Sequence, residues 1–398
     1  MLIRHLNRYQ QKFLFLLTIT IIYVALVAWL DLLQGPYWWD EETFWQTSLT
    51  FSDRLLPSID DLRDYNELST PLPFIIFGAL EYLFHQGIFA GRLLNLILSL
   101  SIIFIIGWPS KDKGGRAILC LVGLLMCPYY LWLSGRLYTE MIACFWVIMG
   151  LMGYVRNRYL LSCIAFILAI ASRQYMLAFP AAIVTYEFIV AMTEVIQQRQ
   201  ISLAKQWKWL APLIATLSIF GWFYMFQGLA PETGIAGRKT PEVQQTLWAL
   251  TPGGAINFLS FIGLYIVIPE LILFYHQGIL QTLKRQWRKT ALITAGLSVY
   301  FLLFPPLSVA AGNVDKIVDL LPHDFLQIAF LYSLSWLACV RFCQPNLISF
   351  IVLFNSLIMF KAFPWDRYVL PLAVAFWYLK STGLVDQFNI FQKQDMAT

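Results

Sequence analysis

Long apolar runs follow one another along nearly the whole chain, separated by short polar stretches. Runs of roughly 20 apolar residues are long enough to cross a bilayer. They predict membrane-spanning helices near 13–33, 89–108, 116–132, 137–154, 159–173, 175–193, 209–228, 255–275, 291–309, 323–340, 346–361 and 366–381. One further segment, 71–87, is apolar but short and carries Glu81 and His85. The expected fold class is therefore an all-α polytopic membrane protein of about twelve spans, forming a single domain over residues 1–398.

Basic residues orient the spans, because cytoplasmic loops carry an excess of Lys and Arg. The strongest basic loop is Lys284-Arg285-Gln-Trp-Arg288-Lys289, and alternation from it places Arg199/Lys205/Lys208, Arg156/Arg158 and Lys111/Lys113/Arg116 on the same side. The N-terminal Arg4, Arg8 and Lys12 also belong there. The two counts agree only if 71–108 crosses once. This makes 71–87 a juxtamembrane helix on the outer surface, within a first outer loop that runs from 34 to 88. Both termini are then cytoplasmic, and residues 229–254 form a second large outer loop. No small-residue cleavage site follows the first apolar run, so it is expected to be a retained helix.

Composition agrees with this class. The chain is 398 residues long, 59% hydrophobic and 13% charged, whereas a soluble domain is nearer a quarter charged. The net charge of +5 is scattered through loops, which suits topology rather than nucleic acid. Six cysteines lie in or beside apolar runs without a C-x-x-C pair and read as small core residues. The four histidines are far apart, so no zinc site is indicated. No cofactor is implied, and the need for a divalent metal stays open.

The chemistry is expected at the outer ends of the spans. Loop 34–70 holds eight acids against two bases in a protein of net positive charge. Its stretch Asp53 to Glu67 reads as an ordinary solvated loop. Asp40, Glu41 and Glu42 are different, because they follow a span directly, behind Trp38 and Trp39, where charge is costly. Polar residues at other span ends fall on the same face: Arg136, Tyr138 and Glu140; Arg173 and Gln174; Asp366, Arg367 and Tyr368. Carboxylates facing arginines suit a base opposite a phosphate, since the planar guanidinium donates two parallel bonds. A sugar on a lipid phosphate has a charged leaving group that needs cations, and an acceptor hydroxyl needs a carboxylate to take its proton. Gly234-Ile-Ala-Gly237-Arg-Lys-Thr240 has some likeness to a phosphate loop, but its spacing fails and no strand precedes it. No αβ pattern for a nucleotide-sugar domain is present.

In these motifs the chain resembles the integral-membrane glycosyltransferases of the C-type fold, which use polyprenyl- or dolichyl-phosphate sugars. Among them it is most similar to the alpha-1,2-glucosyltransferase family that adds the terminal glucose to the eukaryotic lipid-linked oligosaccharide. The matching residues are Pro36-Tyr37-Trp-Trp-Asp40-Glu41, Ser69-Thr70-Pro71-Leu-Pro, Arg92-Leu-Leu-Asn95-Leu, Tyr138-Thr139-Glu140 and Arg173-Gln174, in order, with Arg367-Tyr368 beyond them. The resemblance implies Asp40 as base with Glu41 beside it, Arg173 and Gln174 lining the pocket, and Arg367 on the donor phosphate. An extra Trp precedes the acidic pair and Glu42 replaces an apolar residue, so Asp40 and Glu41 remain interchangeable in role. Arg136, Tyr138, Glu140, Tyr368 and Glu42 complete the expected site.

The resulting expectation is an inverting hexosyltransferase, glucose favoured, acting from a polyprenyl-phosphate sugar on a glycan or lipid-linked acceptor. The compact loops favour a bacterial plasma membrane over the endoplasmic reticulum. The alternative is a flippase or transporter of lipid-linked sugars. Such proteins tend towards internal repeats and Gly/Pro-broken spans at the midplane, and the chain shows neither clearly.

Overall fold

A computed structural model describes residues 8–108, 115–198, 203–238, 242–246, 248–275, 287–307 and 311–385. The orienting residues Arg4, Lys111, Lys113, Arg199, Lys284 and Arg285 lie outside the described residues. Within them the chain is all-helical, and its one non-helical pairing is an isolated parallel bridge between Ala311 and Trp365. Helix is the expected answer for such runs, since a backbone in hydrocarbon must satisfy its polar groups internally.

Among the described residues, five helices are long and apolar enough to cross a membrane: Tyr9–Trp29, Ile88–Gly107, Gln174–Thr193, Trp207–Phe226 and Gly253–Leu273. A sixth candidate is broken. Arg116–Leu125 and Pro128–Ser134 meet at 74°. Pro128 explains the break, because it lacks an N–H and forces the preceding Cys127 into an extended conformation (φ −80°, ψ 110°). The protein is thus a helical membrane protein by length and composition. Helix is present in each of the twelve predicted segments, although several helices are shorter than 18 residues.

Helices α1 (Arg8–Trp29), α2 (Glu41–Leu49), α3 (Ile59–Arg63), α4 (Leu72–Phe84) and α5 (Ile88–Gly107) bring the chain to the site. The ambiguous apolar segment is α4, a separate helix of 13 residues. At 1.5 Å per residue it is about 20 Å long, short of a hydrocarbon core of about 30 Å. It ends at His85 in a left-handed turn (φ +50°), and the Gly87 N–H donates to Glu81 Oε2 at 2.8 Å before α5 begins. Helix α2 lies close on α4: a Cβ at Gly78 would stand 2.6 Å from the Ser48 carbonyl oxygen.

The last helix among the described residues, Leu370–Ser381, is buried at every residue and forms the hub of the bundle. Trp377 packs so tightly there that a Cβ at Gly123 would meet its ring at 2.4 Å. Arg367 precedes this helix and Lys380 closes it, about 20 Å apart along the axis. Lys380 Nζ reaches Glu270 Oε1 at 2.5 Å, and Arg341 binds the same carboxylate through two nitrogens at 2.6 and 2.8 Å. This buried trio ties three helices at the end of the bundle away from Asp40.

Candidate active site

The site starts from two neighbouring carboxylates with opposite fates. Asp40 stands at the N-terminal boundary of α2 and Glu41 is its first residue. Successive residues on a helix point about 100° apart. Glu41 is consequently turned into the bundle and Asp40 out of it.

Glu41 is fully buried. Arg92 of α5 holds it with both oxygens, Nε to Oε1 at 2.8 Å and Nη2 to Oε2 at 2.7 Å. The Leu137 N–H donates to Oε1 at 2.6 Å, the Trp38 N–H donates to Oε2 at 3.1 Å, and Arg136 lies 3.4 Å from Oε2. The two arginines also cap carbonyls of the turn before α2: Arg92 binds those of Leu33, Gly35 and Pro36, and Arg136 that of Pro36. Both Glu41 oxygens are therefore occupied in joining α2, α5 and the turn at 136–137.

Asp40 lies instead in the middle of an alternating chain of charges. Glu67 pairs with Arg238, and Arg238 Nη1 pairs with Asp40 Oδ1 at 3.2 Å. Arg367 Nη2 pairs with Asp40 Oδ2 at 2.9 Å and its Nε with Glu140 Oε1 at 3.2 Å. Arg173 closes the chain on Glu140 at 2.5 Å and donates to the Thr139 hydroxyl at 2.8 Å. Asp40 and Arg238 are 20% and 24% exposed, whereas the other members are nearly or fully buried. Burial pushes the Glu67 carboxyl above its ordinary value, against the pull of Arg238. The Asp40–Arg238 segment is the most accessible part of this chain of charges, with Arg367 directly behind it.

Aromatic rings wall the chain. The Arg367 guanidinium lies 3.6 Å from the Trp365 ring centre and 5.2 Å from that of Tyr138, and Arg173 lies between Tyr175 and Tyr368 at 5.3 and 5.4 Å. Cations over such faces are stabilised by the ring quadrupole. The Tyr138 hydroxyl donates to the Trp38 carbonyl at 2.9 Å, fixing the turn that presents Asp40.

Asp366, beside Arg367, is fully buried and accepts from four donors. These are the hydroxyls of Tyr129 and Tyr265 and the N–H groups of Asn313 and Val314, the last three at 2.8, 2.8 and 3.0 Å. Tyr265 sits in a π-helical turn, Gly263–Val267, within the Gly253–Leu273 helix. Gly312 makes the arrangement possible: its φ is +127°, and a Cβ there would lie 1.7 Å from Asp366 Oδ1. Gly312→Ala is accordingly expected to destabilise the protein by more than the roughly 1 kcal/mol of an ordinary glycine replacement. A thermal melt in detergent checks this, and an unchanged midpoint contradicts the described packing.

Of the predicted site residues, the structure brings together Asp40, Tyr138, Glu140, Arg173, Arg367 and Tyr368. Arg136 joins Glu41 rather than Asp40. Gln174 is turned away and donates to the Leu68 carbonyl at 2.6 Å, and Glu42 is exposed outside the network. Glu67 corrects the sequence reading, in which it belonged to a solvated loop: it is buried and paired. Arg238 entered the sequence reading only within the rejected phosphate-loop likeness, and its pairing with Asp40, 198 residues away, was not foreseen. The available signal was charge complementarity between an arginine in the second large loop and the acidic first one. Arg92 was quoted only as part of a motif, and its role as the Glu41 clamp is a tertiary fact.

A cavity of about 600 Å³ opens beside the clamp, lined by residues 33–37, Trp45, 86–89 and Arg92. No group of three or more His, Cys, Asp or Glu suited to a metal ion occurs among the described residues. The chain matches no family model, no curated protein and no solved structure.

Proposed function

We propose that the protein is an integral-membrane, inverting glycosyltransferase that moves a hexose, glucose by preference, from a polyprenyl-phosphate donor to a glycan or lipid-linked acceptor. The reading includes the twelve-span C-type architecture with the site on the outer face and both termini cytoplasmic. A bacterial plasma membrane is the favoured location.

The observation that carries it is the position of Asp40. It is the accessible carboxylate of the network, it has a guanidinium on either side, and Glu41 is committed to the clamp. The chain through Asp40 is balanced, three arginines (173, 238 and 367) against three carboxylates (Asp40, Glu67 and Glu140), and the one positive charge in excess lies at the adjoining Glu41 clamp, where Arg92 and Arg136 share a single carboxylate. Asp40 takes the proton from the acceptor hydroxyl as its oxygen attacks the anomeric carbon. The carbon–oxygen bond to the phosphate breaks on the opposite face, and its electron pair leaves with the phosphate. Arg367 meets that growing charge, which is the kind of prearranged stabilisation that contributes most to such rates. Proton transfer by a placed carboxylate adds its own factor.

Reconstitution in vesicles with labelled polyprenyl-phosphate glucose tests the reading. Release of polyprenyl phosphate together with a labelled glycan supports it. Movement of the lipid-linked sugar across the bilayer without chemical change identifies a transporter instead.

A further inference from the structure

Arg238 is held differently from Arg92 and Arg341, and although Arg367 also divides its guanidinium between two carboxylates, Arg238 is the more exposed of the two. Arg92 grips Glu41 with a fork on both oxygens, and Arg341 does the same to Glu270. Arg238 divides its fork, giving Nη1 to Asp40 and Nη2 to Glu67. A planar guanidinium binds most strongly when two parallel N–H groups meet one carboxylate or phosphate, so the divided grip is the weaker one. It is also the accessible one.

The short helix that carries Arg238, Glu232–Arg238, does not depend on the guanidinium for its seat. The Thr233 N–H donates to Asp64 Oδ1 at 3.0 Å and the Thr233 hydroxyl donates to the same carboxylate. Gly234 and Gly237 let the helix lie directly on residues 66–67: a Cβ would stand 2.5 Å from the Glu67 carbonyl oxygen at the first and 2.4 Å from Asn66 Oδ1 at the second. The arginine can change partner while its helix stays docked.

We propose that Arg238 is a second phosphate-binding cation, parked on Asp40 and Glu67, and that its transfer to the donor phosphate frees Asp40 Oδ1 to receive the acceptor's proton while Arg367 keeps Oδ2. The inference rests on the reading of Asp40 as the base of a lipid-phosphate sugar transferase. It means that one guanidinium couples donor binding to activation of the base, so that Asp40 stays neutralised by ion pairing while the site is empty. Glu67 then competes with the phosphate for Arg238.

That competition makes opposite predictions for two neighbouring residues. Farnesyl phosphate is titrated against the full-length protein in nanodiscs, followed by intrinsic Trp fluorescence, with farnesol as the uncharged control. Arg238→Gln is expected to weaken farnesyl phosphate binding roughly tenfold or more, the loss of one charged hydrogen-bonding partner. Arg238→Lys, which keeps the charge and loses the fork, falls between. Glu67→Gln is expected to tighten binding several-fold, because a competing carboxylate is neutralised, and farnesol binding is the same in all four proteins. A part that is merely structural would not improve phosphate binding when its partner is neutralised. Wild-type binding that is unchanged in Arg238→Gln, or weakened in Glu67→Gln, overturns the role of Arg238 and leaves the transferase reading standing. Wild-type protein that binds farnesyl phosphate no better than farnesol removes both.

Discussion

Asp40→Asn is expected to lower transfer by about 10²- to 10⁴-fold, the range that a positioned general base supplies, while the protein still inserts and folds. The fold is spared because neither neighbouring cation is abandoned. Arg238 keeps Glu67 and Arg367 keeps Glu140, and the Asn amide has nearly the shape of the carboxylate. Asp40 is also partly solvated, so its loss leaves no deeply buried charge unpaired. The measurement is turnover in reconstituted vesicles beside a thermal melt of the same sample. Full activity in Asp40→Asn would sink the assignment of the base.

Glu41→Gln is expected to have the reverse signature, a large loss of stability. Removing its charge leaves the Arg92 guanidinium, 1% exposed, and Arg136, 7% exposed, without the carboxylate that both enclose. Breaking a buried pair by removing one partner costs about 3–5 kcal/mol, because the remaining charge cannot be solvated. The same clamp holds the turn at 33–36 and the 136–137 turn against α2, so the Asp40 loop loses its footing with it. Melting and expression yield should fall together. If Glu41→Gln melts like the wild type but is inactive, Glu41 is the base and the roles of the two acids are exchanged. The pair of variants therefore separates the two carboxylates, which the sequence motif treats alike.

Much of the architecture was readable along the chain because helix in lipid is a local consequence of apolar length. The separate helix at 72–84 was read as such from an apolar run too short to span, whereas the break at Cys127-Pro128 falls inside a segment, 116–132, expected to be one continuous span, although its cause, a proline without a donor, is local. That Glu140, Arg173 and Arg367 fall close together agrees with the face on which alternation of the spans had set them. The partners within that group were not readable, since alternation sets a face and says nothing of distance across it.

Glu67 and Arg238 show where local reading stops. Glu67 sits among acids in a polar stretch, and nothing beside it in sequence indicates burial. It is buried because the helix Glu232–Arg238, far along the chain, settles on it through Gly234 and Gly237. Arg238 looked like part of a failed phosphate loop and instead completes the charge chain.

Taken alone, the order of residues determined that this is a helical membrane protein by the length and composition of its apolar runs. Hydrocarbon length, backbone satisfaction and the cost of charge at depth are properties of short stretches, so they are legible there. Only the tertiary structure set Asp40 apart from Glu41, one partly exposed and the other clamped in the interior. That difference turns on which carboxylate finds its arginine in the interior, and a buried pairing is made by segments that meet only when the bundle closes.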